Sequence, residues 1–273
     1  MSKSSKSNQS LKEALQSMFA SATIVIAFII AVLIFKFIMG NPANFEGGNP
    51  SGTPMPGNYL GIIYKGGVIV PLLITLILVL ITFSIERYLT LRKARGKRKL
   101  NLFVKELQSL LSENKIEEAY TLCDSQKGST ANVMKAGLMR YRALETDTRL
   151  NKDQKILALQ KEIEEATALE LPMLSKNLVI LSTITSMSVL VGLIGTVLGM
   201  IRAFAALAQA GAPDALALAT GISEALVNTA FGITGSCLAL ILYNYFSTVI
   251  DNMTFKIDEA GFSITQTFAA NVK

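Results

Sequence analysis

Two apolar stretches decide the fold: VGLIGTVLGMIRAF, Val191 to Phe204, and ATGISEALVNTAFGITGSCLALILYNYF, Ala219 to Phe246. Only a short Pro-containing turn separates them. They lie largely within the charge-free runs 177–201 and 225–250, and a membrane-spanning helix needs about 20 mostly apolar residues. Neither reads as a plain lipid anchor. Gly192, Gly195 and Gly199 recur on the first helix, a small-residue pattern that lets neighbouring backbones approach closely in lipid. Thr196 lies one turn from both Gly192 and Gly199. The second helix carries Glu224, Asn228, Thr229 and Ser236 inside its apolar run. Polar groups at such depth need a partner helix or a wet pore to satisfy them. They either pack a helix bundle or line an ion path.

Outward from these helices, the charge-free runs 14–35 and 66–85 add two more spans. The composition agrees: 51% hydrophobic, 17% charged, mean hydropathy +0.43. The expected fold is all-α, a polytopic helical membrane protein with four spans and a cytoplasmic helical lobe, its long helices continuous with the spans. The expected segments are 1–39, a basic N-terminal segment and first anchor; 40–66, an external loop; 67–99, the second span with its basic flank; 100–177, the lobe; 178–206, the third span; 207–217, a second external loop; 218–250, the fourth span; and 251–273, a polar cytoplasmic tail. The apolar run near the N-terminus is longer than the roughly 7–15 residues of a signal-peptide core, so it reads as a retained anchor. Pro42, Pro50, Pro54 and Pro56 argue against regular structure in the loop 40–66.

Orientation comes from charge. Arg87, Arg92, Lys93, Arg95, Lys97, Arg98 and Lys99 cluster where the second span ends, which places that end, and both termini, in the cytoplasm. A basic run just beyond a span reads as contact with anionic lipid headgroups, not with nucleic acid. Helices are expected near 100–112, 114–126, 129–145 and 149–175, the last continuing into the third span with a kink at Pro172. So small a lobe is a thin basis for an independent core, and neighbouring subunits are expected to complete it. The chain has no His and two Cys without metal-ligand spacing, and it lacks a Gly-rich phosphate loop. No cofactor, metal or catalytic residue is expected, and the chain does not read as an enzyme.

The stretches GLIGTVLGM, GISEALVNTAFG and YNYF, together with the Glu86–Arg87 pair, resemble the MotA/TolQ/ExbB proton-channel family, the ExbB/TolQ branch above all. Val189 and Leu238 stand where many members have Pro, so straighter helices are expected here. The resemblance implies a homo-oligomer, a pentamer, around a pore in the bacterial inner membrane. It implies a single-span ExbD/TolR-like partner whose Asp accepts the proton, and a TonB-like protein as recipient of the work. The implied function is ExbB-like energising of TonB-dependent outer-membrane transport. TolQ-like, gliding-type and flagellar MotA-like stators, or a non-conducting scaffold, are the alternatives. The resemblance places Thr196 and Thr229 on the proton path. Glu224 joins them either as a charge at the pore mouth, the reading favoured here, or as a contact between subunits. The first span is additional to the usual ExbB/TolQ plan and is expected to lie outside the pore.

Overall fold

The structure, a computed structural model, describes residues 21–208 and 215–272. The basic segment before Ser21 and most of the loop before Ala215 lie outside the described residues. Among the described residues the regular elements are helices, with no strand. Four helical segments are long and apolar enough to cross a membrane: Ser21–Met39, Gly67–Ala94, Lys152–Leu207 and Ala215–Asn271. We name the helices α1 (Ser21–Met39), α2 (Tyr59–Tyr64), α3 (Val70–Ala94), α4 (Leu100–Ser112), α5 (Ile116–Gln126), α6 (Ser129–Glu145), α7 (Lys152–Ser175), α8 (Leu178–Leu207) and α9 (Ala215–Asn271). The chain divides into two compact units, Met1–Ser84 with Ile180–Leu242, and Ile85–Val179 with Tyr243–Lys273.

Along the seam of α8 and α9 in the first unit the usual distribution of side chains is inverted. The outward residues of α8 are large and apolar, with Leu193, Ile194, Val197 and Ile201 exposed by 55%, 53%, 52% and 59%. The buried ones from Ser188 onward are small: Gly192, Gly195, Gly199 and Ala203 on α8 face Gly221, Ala225 and Gly232 on α9. A Cβ at Gly192 would stand 2.9 Å from the Asn228 carbonyl, and one at Gly199 would stand 2.8 Å from the Gly221 carbonyl. At Gly232 it would meet the Ser188 carbonyl at 2.6 Å. This is how helices associate in lipid, where packing and backbone proximity replace the hydrophobic effect.

The loop 40–66 is more regular than its prolines suggest. Two 3₁₀ turns, Pro42–Asn44 and Glu46–Gly48, precede α2, and Phe45 bridges to Pro54. Pro42 occupies the first position of its turn, where a missing N–H costs nothing. The buried Asn44 side chain organises the loop, donating to the carbonyls of Ile38 and Met39 at 2.8 and 2.9 Å and accepting from Asn58 at 3.0 Å. Tyr64 stacks on Phe35 at 4.6 Å and meets Phe45 edge-on at 5.5 Å. The first anchor packs here through Ala31 and Met39 against Val70 and Ile74 of α3.

The second unit is an ordinary hydrophobic core. Helices α4 to α7 contribute Phe103, Leu107, Leu111, Met134, Leu138, Tyr141 and Leu159. A capping box starts α7, with the Asn151 side chain and the Gln154 backbone, and the reverse pair, bonded at 2.8 and 3.1 Å. Two expectations change. The polar tail is the end of α9, and its Ile257, Ala260, Ile264, Phe268 and Val272 join the same core. This chain therefore supplies part of the lobe's apolar core from its own C-terminal helix. The interruption between α7 and α8 falls at Lys176–Asn177, not at Pro172, which lies inside α7. Asn177 has φ +61°, the left-handed conformation that Asn tolerates better than most residues.

Two substitutions test this packing. Gly232→Leu forces α8 and α9 apart at a cost of about 1–3 kcal/mol or more. Folded, monodisperse protein should fall on size-exclusion chromatography, whereas Ile233→Ala on the exposed face should behave as wild type. Phe268→Ala removes a ring that lies 4.7 Å from Tyr141, centroid to centroid. Large-to-small core changes of this kind cost about 3–5 kcal/mol. A clear drop in the thermal unfolding temperature of the purified protein is the expected result.

Candidate functional site

The functional residues named by the sequence fall mainly on the seam between α8 and α9. The two helices run antiparallel: Gly192 faces Gly232, Thr196 faces Thr229, Gly199 faces Ala225 and Arg202 faces Glu224. Thr196 and Thr229 bond to each other through their hydroxyls. The Thr196 hydroxyl also lies 3.2 Å from the Gly192 carbonyl and 3.4 Å from the Ala225 carbonyl. The Thr229 hydroxyl lies 3.1 Å from the same Ala225 carbonyl. Each hydroxyl has a single proton to donate. One therefore donates across the seam, and the other donates to a carbonyl. Both side chains are half-buried, and Thr196 borders an outward groove with Val197, Met200, Ile201 and Phe204.

One turn along α9 from Glu224, Asn228 is fully buried and packs against Gly195, where a Cβ would come within 2.5 Å of its side chain. Its amide donates to the Gly66 carbonyl at 2.9 Å. Its Oδ1 is buried with no hydrogen-bond partner among the described residues. Glu224 is 5% exposed and bonds the Arg202 guanidinium at 2.5 Å. It also lies against Gly67, where a Cβ would come within 2.3 Å of Oε1 and where φ is +72°. Only Gly fits both demands there. Arg202 is half-exposed and faces a cleft of about 730 Å³ lined by Ser51–Gly57, Lys65 and Thr220. Lys65 donates to the Ser51 carbonyl at 2.9 Å, and burial pushes its ammonium below the ordinary lysine range.

Thr196 and Thr229 are thus brought together, whereas Glu224 is engaged by Arg202. Of the basic cluster, Arg92, Lys93, Arg95, Lys97, Arg98 and Lys99 are exposed. Arg87 must be removed from it. Its side chain is 2% exposed, held by Glu86 at 2.6 and 2.7 Å and by the Leu174 carbonyl at 3.3 Å. Such an arginine is a structural tie that reaches no headgroup. Glu86 also accepts from Asn177 at 3.3 Å, so the pair anchors the interruption between α7 and α8. The sequence reading also passed over Arg202, Gly66, Gly67, Gly221 and Gly232. A signal for three of them existed. Facing residues of an antiparallel hairpin keep a nearly constant sum of residue numbers, which pairs Gly192 with Gly232, Gly199 with Gly221 or Ala225, and Arg202 with Glu224.

Comparison with known proteins agrees with this arrangement. The model of the MotA/TolQ/ExbB proton channel family matches residues 125–259. The Tol-Pal system protein TolQ of Pseudomonas aeruginosa is 29% identical over 153 residues, 56% of this chain and 66% of that protein. TolQ of Haemophilus influenzae is 27% identical over 197 residues, 70% of this chain and 84% of that protein. The biopolymer transport protein ExbB of Salmonella typhimurium is 40% identical over 70 residues, 26% of this chain and 29% of that protein. The chain therefore spans less than two thirds of the TolQ protein of Pseudomonas aeruginosa and under a third of the Salmonella ExbB. With four apolar helices, the glycine-lined seam and matches to both ExbB and TolQ, this is a multi-pass membrane protein whose residues 125–259 match the MotA/TolQ/ExbB proton channel family.

Proposed function

We propose that this chain is the channel subunit of an inner-membrane motor that couples proton motive force to work on the cell envelope. In this reading it forms a homo-oligomer, a pentamer, with both termini cytoplasmic and with a single-span ExbD/TolR-like partner. The observation that carries the proposal is the hydroxyl pair Thr196–Thr229 on a seam of closely packed small residues. Hydroxyls both donate and accept, as a relay of water or protons beside a carboxylate requires. Thr196 borders an outward groove, which leaves its side of the seam open to a further helix. The Asp of the partner is the titrating group, and Glu224 with Arg202 sets the charge at the end of the path. ExbB-like energising of a TonB-dependent system is our reading of the output. A TolQ-like role is the second reading, favoured by the greater length over which the TolQ proteins align, 153 and 197 residues against 70 for the Salmonella ExbB.

Thr196→Val and Thr229→Val keep the shape and remove the hydroxyl. Both variants should assemble with the partner as wild type and lose most proton flux in liposomes holding the two proteins together. Wild-type flux in both would overturn the proposal and leave the hydroxyls as backbone ties.

The Arg202–Glu224 pair is asymmetric, since Glu224 is buried and Arg202 half-exposed. Arg202→Gln strands a buried carboxylate, which costs up to about 3–5 kcal/mol where burial is complete. Glu224→Gln keeps a hydrogen bond and strands only a cation that water reaches. Thermal unfolding should therefore fall further in Arg202→Gln than in Glu224→Gln. Flux in Glu224→Gln then reads the charge alone: a strong loss supports the electrostatic role, and full activity over a range of external pH assigns the pair to packing.

A further inference from the structure

A cleft of about 400 Å³ opens between the C-terminal turns of α3 and residues Tyr245–Val249 of α9. That volume lies in the range of small-ligand sites, about 300–1,000 Å³. Its floor is apolar and closed, with Leu91, Phe246 and Val249 exposed by 3%, 3% and 8%. Its walls are two tyrosines, Tyr88 and Tyr245, each about half exposed. The Tyr245 ring is fixed edge-on to Phe246 at 5.3 Å between centroids. The basic rim is Arg92 and Arg95.

The charge of this rim is unanswered among the described residues. Arg87 has Glu86 and Arg98 has Glu106. Among the described residues no carboxylate forms an ion pair with Arg92 or Arg95. The two stand three residues apart on one helical face, where like charges repel unless an anion lies between them. The second is held in place. The buried Gln126 amide donates to the carbonyls of Arg95 and Arg98 at 3.0 and 3.1 Å and accepts from the Arg98 N–H at 3.1 Å. The last turn of α3 is therefore pinned just before Gly96 turns the chain at φ +81°.

The cleft also lies where two spans leave the apolar zone. The second charge-free run ends at Ile85, shortly before Tyr88, and the fourth ends at Ile250, just after Val249. Tyrosines concentrate at that level of a bilayer. Guanidinium groups grip phosphate through paired, charge-assisted hydrogen bonds.

We propose that this cleft binds one anionic phospholipid, its phosphate between Arg92 and Arg95 and the upper part of an acyl chain on Phe246 and Val249 between the two tyrosines. The proposal rests on the membrane assignment of α3 and α9 and not on proton conduction. It narrows the basic cluster to two residues above an apolar floor between two tyrosines.

The test uses the full chain purified in detergent, with phosphatidylglycerol, phosphatidylcholine or inorganic phosphate added, and native mass spectrometry as readout. Wild type should retain one phosphatidylglycerol per chain in preference to phosphatidylcholine. Arg92→Gln with Arg95→Gln should lower that retention at least about tenfold, the effect of losing hydrogen bonds to a charged group. Lys93→Gln with Lys97→Gln removes equal charge outside the cleft and should leave retention unchanged. Phosphatidylglycerol should also raise the unfolding temperature of wild type and not of the arginine variant, whose fold the same melt reports. Equal loss in the two double variants, equal retention of phosphatidylcholine, or displacement of the lipid by millimolar inorganic phosphate would each overturn the assignment. Because bound lipid is read and not flux, such a failure leaves the channel proposal standing.

Discussion

Helices already dissolved in lipid gain little by burying leucine against one another, and the membrane unit is built around that constraint. Leu193, Ile194, Val197 and Ile201 stay outside. The contact between α8 and α9 is made by glycines, with facing backbone atoms where side chains would otherwise be. Backbones this close bring the carbonyls of one helix within reach of hydroxyls on the other, as Ala225 is to Thr196. A seam that packs by backbone proximity is thus also the place where polar side chains find partners. Thr196, Thr229, Asn228 and Glu224 share it with Gly192, Gly195, Gly199, Gly221 and Gly232 for a single physical reason.

The second unit obeys the opposite rule with the same helix. Along α9 the buried positions Gly221, Ala225, Asn228, Gly232, Gly235 and Ala239 follow steps of three and four residues. The stripe resumes with Phe246, Ile250, Met253, Ile257, Ala260, Ile264 and Phe268 at the same spacing. The rhythm hardly changes, but the residue size does. Small side chains serve where lipid surrounds the helices and proximity is what holds them. Large ones serve where water does, and buried area is what stabilises. One helix is written in two codes joined at a constant period.

This doubling explains which parts of the chain were legible. The spans were plain because a run of about 20 residues without charge has few other uses. The lobe helices Leu100–Ser112 and Ser129–Glu145 stand where periodicity and polar flanks put them. Residues 251–271 were obscured by their polarity: Asp251, Lys256, Asp258 and Glu259 mask a stripe that shows only at helical spacing. Pro172 drew attention from Asn177, although a proline removes one hydrogen bond while a left-handed residue ends the helix. Arg87 was counted with its basic neighbours although the Glu86–Arg87 pair had been singled out, because adjacent residues on a helix seldom face each other, yet Glu86 takes it. Proline-rich loop 40–66 concealed Asn44, since nothing local marks an amide that bonds two preceding carbonyls and a later Asn.

The same difficulty recurs, with more consequence, at Glu224. Taken alone, a carboxylate some turns inside a span is a source of negative potential. With Arg202 at 2.5 Å the pair carries no net charge, and its field falls off as that of a dipole. The Gly67 backbone closes one side of the carboxylate, so its open side is the one toward Arg202 and the cleft that holds Lys65. Water reaches Arg202 and not Glu224, so removing the arginine leaves a buried carboxylate unpaired, and the contact is costlier to break from that side. The pair therefore ties Glu224 of α9 to Arg202 on the helix that also carries Thr196, and this end of the seam closes on an ion pair.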